Sequence, residues 1–96
     1  MRAGLINKDL MYYTYVLLSK KDHKLYVGFC GNLKLRITQH SQGQVDATKD
    51  RRPLELLYYE ACFHKQDAIE REKYFKTGFG RRFLKGRNKN TLRAGL

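Results

Sequence analysis

A pair of strand-like segments near the start of the chain restricts its fold more than any other feature. Residues 12–18 read Tyr-Tyr-Thr-Tyr-Val-Leu-Leu, a composition rich in the aromatic and β-branched residues that favour strands. A polar segment follows at 19–24, and the strand pattern resumes over 25–29. We therefore predict a β-hairpin. Other elements must cover it, because an isolated hairpin is only marginally stable.

The rest of the chain supplies one more strand and the covering helices. In order, we predict a helix over 31–43, a loop over 44–53, a strand over 54–62, a helix over 65–77, and a short helix or turn before a basic end. Asn32 is placed to cap the first helix, and Gly43 and Gly78 to end the two helices. The order β-β-α-β-α(-α) predicts an α+β fold, a small three-stranded antiparallel sheet flanked by helices. It supplies neither a Rossmann crossover nor a phosphate loop.

The length of 96 residues is that of one domain. We expect an N-terminal lead-in over 1–11, the domain over 12–86, and a basic C-terminal tail over 87–96.

The charge is strongly positive and unevenly placed. Lys and Arg number 20 against nine Asp and Glu, a net charge of +11. Residues 71–96 carry nine of the basic residues and one acid, Glu72. A one-sided basic surface attracts phosphate backbones, which predicts a nucleic-acid partner. An anionic membrane surface and general solubility also fit such a bias.

The sequence gives no sign of a membrane or secreted protein. No apolar run approaches the roughly 20 residues that span a bilayer, and the first residues lack the apolar core of a secretory signal. Two cysteines, Cys30 and Cys62, form no disulfide framework and suit a reducing compartment, although a single bridge between them stays open. We expect a cytoplasmic protein that does not use the membrane as a partner.

One carboxylate on the second predicted helix stands out. At about 100° per residue, Glu72 projects from the apolar stripe that contains Ala68 and Phe75, whereas Glu70 faces away. A carboxylate in such a position is usually paired, hydrogen-bonded or bound to a metal. Glu72 is therefore a candidate metal ligand, with a salt bridge to Lys or Arg as the alternative.

Other candidate residues lie on the first helix and the hairpin. Arg36 flanks the face formed by Leu33, Ile37 and His40, one turn from His40. Arg36 could equally be a solvated arginine and His40 a packing residue, and strand tyrosines most often serve packing. No His or Cys spacing predicts a zinc site. Tyrosines, one arginine, one inward carboxylate and a basic surface suit phosphodiester hydrolysis with a hydrated Mg²⁺.

Five segments in order resemble the GIY-YIG nuclease superfamily, in particular the small stand-alone proteins similar to the N-terminal domain of the excinuclease C protein. They are YTYVLL (13–18), LYVG (25–28), NLKLRITQHSQG (32–43), TKDRRPLELLYYE (48–60) and AIEREKYFKTGFGRRFL (68–84). Tyr13 and Thr14 replace the glycine and isoleucine of the first motif, and Cys30 stands where threonine is usual. The asparagine near the C-terminus of larger members has no assigned counterpart, and neither Asn88 nor Asn90 is given its role.

The resemblance implies a site of five residues. Tyr15 and Tyr26 occupy the two motif tyrosines, one as general base and the other as a hydrogen-bonding partner of water or phosphate, with Tyr26 favoured as the base. Arg36 would steady the phosphate in the transition state, Glu72 would bind the metal, and His40 would lie near the scissile phosphate. Tyr12 and Tyr13 receive no special role.

The resemblance also implies the substrate and cofactor. Gly28 would allow backbone and phosphate to approach closely, and the basic residues Arg81, Arg82 and Lys85 would contact the substrate. The implied function is a Mg²⁺- or Mn²⁺-dependent endonuclease that cleaves DNA with structural or weak specificity in repair or processing. The alternative is an inactive nucleic-acid-binding module on the same fold.

Overall fold

The computed structural model describes residues 10–95. The elements are β1 (Tyr12–Ser19), β2 (Leu25–Cys30), α1 (Leu33–Ser41), a 3-10 turn (Lys49–Arg51), β3 (Leu54–Cys62), α2 (Lys65–Phe75), α3 (Gly78–Arg87) and α4 (Lys89–Arg93). The predicted hairpin and third strand are confirmed. Most of the predicted lead-in lies outside the described residues.

The three strands form one antiparallel sheet in the order β2-β1-β3. This confirms the predicted α+β fold with a small three-stranded sheet. The central strand pairs Tyr15 with Gly28 on β2 and with Tyr59 on β3. An irregularity between Val16 and Leu17 shifts the register against β3.

The two faces of the sheet are covered by different helices. Thr14 on β1 donates a hydrogen bond of 2.9 Å to the carbonyl oxygen of Ala68 on α2. The next residue, Tyr15, is hydrogen-bonded to His40 on α1. Because successive strand residues point to opposite faces, α1 lies on one face of the sheet and α2 on the other.

The apolar core lies on the α2 face. Val16 and Val27 from the sheet pack with Phe75 of α2 and Leu84 of α3, and all four are buried. The ring of Phe83 stacks on that of Phe75 with centroids 5.9 Å apart. The α1 face also buries an apolar residue of β1, Leu17, next to the polar contacts around Tyr15 that are described below.

The helix ends follow local chemistry. Asn32 accepts a hydrogen bond from the Leu35 amide at 3.0 Å, which confirms it as the cap of α1. Gly43, just past the helix, has a φ of 76°, in the region that favours glycine. Helix α2 is two residues shorter than the predicted 65–77. Thr77 caps a new helix there, accepting from the Gly80 amide at 3.1 Å.

The segments predicted as loop and tail contain further structure. The 3-10 turn lies within the predicted loop, and its Arg51 forms an ion pair of 2.6 Å with Asp22 in the hairpin turn. Helix α3 continues to Arg87, and α4 follows in the segment predicted as a basic tail. Within residues 10–95, none of the helices combines the length and apolar character needed to cross a membrane.

Candidate active site

Four of the predicted site residues meet on the α1 face of the sheet. The hydroxyl oxygen of Tyr15 lies 2.7 Å from Nε2 of His40, and Nε of Arg36 donates to the same oxygen at 3.4 Å. The ring of Tyr26 lies 5.3 Å from that of His40 and 6.4 Å from that of Tyr15, measured between centroids. The strand alternation explains the meeting, since Tyr15 and Tyr26 share a face, and α1 presents Arg36 and His40 one turn apart.

Gly28 has a different neighbour from the one the sequence suggested. A Cβ atom at this position would lie 2.5 Å from the hydroxyl oxygen of Tyr15 and 2.6 Å from the ring carbon that bears it. The phenol of Tyr15 therefore fills the space above the cross-strand residue. The absence of a side chain at Gly28 allows Tyr15 to reach His40, and the approach of a phosphate to Gly28 stays a prediction.

The Tyr15 hydroxyl belongs to a buried chain of hydrogen bonds. Nδ1 of His40 lies 2.7 Å from Oγ1 of Thr48, on the other side of the imidazole ring. Tyr15 and His40 are each 1% exposed, and Thr48 is fully buried. A phenol is a stronger donor than an aliphatic hydroxyl. We therefore assign the Tyr15 hydroxyl as donor to Nε2, with the Nδ1 hydrogen of His40 donated to Thr48.

The surroundings of Tyr15 and His40 keep both side chains in their neutral forms. Burial raises the pKa of Tyr15 to about 12, against the opposing effect of the hydrogen bond from Arg36. Burial, assisted by the charge of Arg36, lowers the pKa of His40 to about 4. A neutral, buried Tyr15 next to a weakly basic His40 is poorly suited to take a proton from water. The geometry favours a positioning role for Tyr15.

The buried imidazole predicts a loss of stability in mild acid. Between about pH 6.5 and 4, the unfolded chain binds a proton on His40 and the folded protein does not. The free energy of unfolding should therefore fall as the pH falls through this range, by up to about 3 kcal/mol from this residue. Urea unfolding of wild type and His40→Gln at several pH values measures it. The variant should show a flatter profile, and equal slopes for both proteins would contradict the prediction.

Tyr26 and Arg36 keep polar groups available on this face. The Tyr26 side chain is partly exposed, and its hydroxyl forms no hydrogen bond with residues 10–95. Arg36 uses Nε for Tyr15 and Nη1 for Gln39, at 3.3 Å. Its Nη2 forms no hydrogen bond within the same residues. The pair therefore offers a hydroxyl and a guanidinium edge to an approaching phosphate.

Glu72, the predicted metal ligand, has a different set of polar contacts. It belongs to α2 and shares the inward side of that helix with the buried Ala68 and Phe75, as the helical spacing predicted. Its side chain is 19% exposed and forms an ion pair of 3.5 Å with Lys76, one turn away. Among the described residues Lys76 is its only ion-pair partner, and no hydrogen bond joins it to the four residues on the α1 face.

The donor set restricts the kind of metal site that Glu72 could provide. In the part of the chain that the structure describes, no three His, Cys, Asp or Glu side chains lie together where they could hold an ion. A single, partly exposed carboxylate cannot enclose a metal. It does fit Mg²⁺, which keeps most of its water and is held through one or two carboxylates and the phosphates of a substrate.

Comparison with known proteins gives a family match over most of the chain. Residues 11–89 match the family model described as the GIY-YIG catalytic domain. The chain belongs to the GIY-YIG family. It is 41% identical over 68 residues to a UPF0213 protein from Pediococcus acidilactici, covering 68% of each chain. It is 39% identical over 67 residues to a UPF0213 protein from Staphylococcus saprophyticus, covering 69% of this chain and 80% of the relative. No solved structure gives a significant match.

The family match confirms the resemblance to the GIY-YIG superfamily that was found in the sequence, for the domain as a whole. A GIY-YIG domain implies a nuclease family that acts on nucleic acid and generally depends on a divalent metal. The names of the matched relatives add no substrate or activity.

Two of the three basic residues predicted to contact substrate line a groove of this GIY-YIG domain. The groove has a volume of about 540 Å³ and lies between the hairpin turn, the 3-10 turn and α3. Its charged lining residues are Asp22, Lys24, Arg51, Arg81 and Lys85, four cations and one carboxylate. Asp22 pairs with Arg51, and within the described part of the chain no ion pair joins the other three cations to a carboxylate. Arg82 lies elsewhere, with its guanidinium carbon 4.9 Å from the centre of the Phe79 ring.

Two residues of the GIY-YIG domain gain roles that sequence reasoning missed. Thr48 is hydrogen-bonded to the ring of His40. The only sign of this role in the sequence was its place at the start of the segment 48–60, which resembles a GIY-YIG motif. Arg71 forms a two-bond ion pair with Glu60, at 2.8 and 3.1 Å, and its guanidinium carbon lies 4.6 Å from the centre of the Phe75 ring. No spacing in the sequence distinguished Arg71 from the other basic residues.

Asn88 donates to the carbonyl oxygen of Leu84 at 2.8 Å, a helix-end contact.

Proposed function

We propose that this chain is a divalent-metal-dependent endonuclease that hydrolyses phosphodiester bonds in DNA. The observation that carries the proposal is the partly exposed ring of Tyr26 beside the Tyr15–His40–Arg36 group, on one face of a GIY-YIG sheet. In this proposal residues 12–86 form the catalytic unit. The net charge of +11 supports a polyanionic substrate.

In the proposed reaction a water molecule attacks phosphorus while the bond from phosphorus to the leaving oxygen breaks. Tyr26 accepts the proton from the attacking water as its own hydroxyl proton passes to solvent, and the departing oxygen takes a proton from solvent. Tyr26 is chosen over Tyr15 because its hydroxyl forms no hydrogen bond within residues 10–95, whereas that of Tyr15 is buried and bonded to His40. Arg36 places its guanidinium against the phosphate oxygens, where negative charge grows in the transition state. Tyr15, held by His40, keeps Nε of Arg36 in place.

Glu72 would hold the Mg²⁺ or Mn²⁺ ion. When bound, such an ion polarises the phosphate and stabilises the charge on its oxygens. The exposed Lys76 that now pairs with Glu72 could be displaced readily, since surface ion pairs contribute only about 0 to 1 kcal/mol.

In this proposal the phosphate backbone of the DNA lies along the basic groove. Lys24, Arg81 and Lys85 in the basic groove would contact phosphates, with Arg82 as a further contact. Phosphate contacts alone carry no sequence information. This supports cleavage that is specific for structure or only weakly specific, in DNA repair or processing. The two free cysteines support a cytoplasmic location.

A second candidate function has one specific observation in its favour. Glu72 pairs with Lys76, and no hydrogen bond or ion pair within residues 10–95 joins it to the four residues on the α1 face. A chain that had lost metal binding would keep the fold and the basic groove, and would act as a nucleic-acid-binding module.

Exchange of each tyrosine for phenylalanine tests the assigned roles. We expect Tyr26→Phe to lower the cleavage rate by about 100- to 10,000-fold, the range for removal of a general base, with little change in stability. Tyr15→Phe should lower the free energy of unfolding by about 1 to 3 kcal/mol, because it leaves buried His40 without its donor. Cleavage of a labelled DNA and urea unfolding measure the two effects. A larger loss of cleavage in Tyr15→Phe than in Tyr26→Phe would assign the base to Tyr15 instead.

A further inference from the structure

A second groove lies on the same face of the sheet as Tyr15 and Arg36. It has a volume of about 630 Å³ and runs between α1 and β3. The side chains that determine its character are Tyr13, Leu33, Lys34, Ile37, Leu56 and Tyr59. A volume of this size is ordinary for a small-ligand site. None of the roles assigned above uses this groove.

The floor of the groove is an exposed aromatic surface. The side chain of Tyr59 is 50% exposed, and its ring meets that of Tyr13 edge to face with centroids 6.0 Å apart. Leu56, paired with Leu17 just past the register shift, is also exposed. Large apolar side chains left open to water in one place usually mark a binding site.

The groove is continuous with the proposed active site. Tyr59 is the cross-strand partner of Tyr15, so the two residues are separated by the spacing of neighbouring strands, about 4.8 Å. On α1, Leu33 and Ile37 line the groove while Arg36 contacts Tyr15. A nucleotide whose phosphate lies at Arg36 would therefore have its base within reach of Tyr59.

The charge of the groove restricts its occupant. Among residues 10–95, Lys34 is the one charged side chain that lines it, and no carboxylate of that part of the chain does so. Glu60, the neighbour of Tyr59, pairs with Arg71 of α2 and so lies on the opposite face. A second copy of this chain would bring another +11 of charge and would be repelled.

We propose that the groove binds an unpaired nucleobase of the substrate, stacked on Tyr59, next to the phosphate that is cleaved. Aromatic side chains beside a basic surface form the usual platform for single-stranded nucleic acid, because every base has a face that stacks. A paired base is covered by its neighbours and cannot stack on Tyr59. The inference rests on the nucleic-acid substrate of the proposed function, and it adds a preference for single-stranded or unpaired regions.

Binding of DNA without cleavage tests the inference separately from the nuclease activity. The probes are a fluorescently labelled single-stranded oligodeoxynucleotide and a duplex of the same sequence, measured by anisotropy in EDTA. We expect Tyr59→Ala to weaken binding of the single strand by about 5- to 150-fold, which corresponds to 1–3 kcal/mol for one stacked base. Duplex binding should change by less than about twofold. Tyr59→Phe, which keeps the ring, should bind the single strand as wild type does.

Phe63→Ala is the matched control, because it removes an exposed aromatic ring beyond the end of β3 and outside the groove. It should leave both affinities unchanged. Equal losses for single strand and duplex in Tyr59→Ala would overturn the inference, as would unchanged binding or a wild type that does not bind the single strand. A change of molecular mass in Tyr59→Ala, measured by light scattering, would instead assign the groove to contact between copies.

The outcomes separate this inference from the proposed function. Loss of single-strand binding in Tyr59→Ala together with an inactive wild type would support the groove and refute the nuclease. If wild type cleaves DNA and Tyr59→Ala binds the single strand as wild type does, the nuclease would be supported and the groove refuted.

Discussion

Replacement of Glu72 by glutamine is expected to remove metal-dependent cleavage of DNA, with a loss of about 100-fold or more, while DNA binding is retained. Glutamine has nearly the same shape as glutamate but lacks the charge that binds a divalent cation. The fold should tolerate the change, because the ion pair with Lys76 is partly exposed and contributes at most about 1 kcal/mol. Cleavage of labelled branched, nicked and single-stranded DNA, titrated with Mg²⁺ and Mn²⁺, measures the loss.

The same helix provides the control for this prediction. Glu70 is exposed and faces away from the apolar side of α2, next to Gln66. Glu70→Gln makes the same change of charge, so it should cleave as wild type does. Retained cleavage in Glu72→Gln would remove Glu72 from the proposed mechanism. A wild type that cleaves none of these substrates with any divalent ion would leave the binding module as the function.

Replacement of Gly80 by alanine is expected to lower the free energy of unfolding by about 3 kcal/mol. A Cβ atom at this position would lie 2.0 Å from the carbonyl oxygen of Tyr74 and 2.6 Å from Cα of Phe75. Both are backbone atoms at the end of α2, so the clash can be relieved only by moving α3 away. Such a movement would open the contact between Phe75 and Leu84 in the core, and overpacking of this kind commonly costs about 1 to 3 kcal/mol or more.

Gly86, six residues later in α3, is the matched position. A Cβ atom there meets nothing within 4 Å. Gly86→Ala should therefore stabilise the protein, by roughly 0.5 to 1 kcal/mol, because alanine favours the helix more than glycine does. Urea unfolding compares the two variants. Similar free energies for both would show that α3 does not depend on close contact at Gly80.

The elements of the fold could be read from the sequence where their signals are local. The strand over 54–62 was predicted with its observed bounds, because proline precedes it and its composition favours a strand. Asn32 and Gly43 likewise marked the ends of α1. The break between α2 and α3 was predicted two residues too late, at Gly78, since its position depends on Thr77 as a cap and on the close packing of Gly80 against α2. Both are properties of the assembled structure.

In the candidate site, too, the features with a local signal could be predicted and those that depend on the assembled structure could not. Helical spacing predicted that Glu72 shares a side with Ala68, and the structure agrees. The resemblance indicated Tyr15 and Tyr26 together and favoured Tyr26 as the base, without a structural reason for the choice. The difference comes from burial and from the hydrogen bond to His40, which in turn depends on Thr48, eight residues further along the chain. No pattern in a single sequence encodes that contact.

The side chains of β1 point alternately to the two faces of the sheet, which restricts where insertions and deletions can be tolerated. Thr14 ties the strand to α2, and Tyr15 ties it to α1, so one strand sets the position of both helical layers. Insertion of a single residue before this pair would exchange the faces of every following side chain in the strand. We therefore expect length variation among relatives to collect in the segments between elements, with β1 held at constant length. The spacing from Tyr15 to the hairpin turn should be fixed more strictly than the identity of most residues within it.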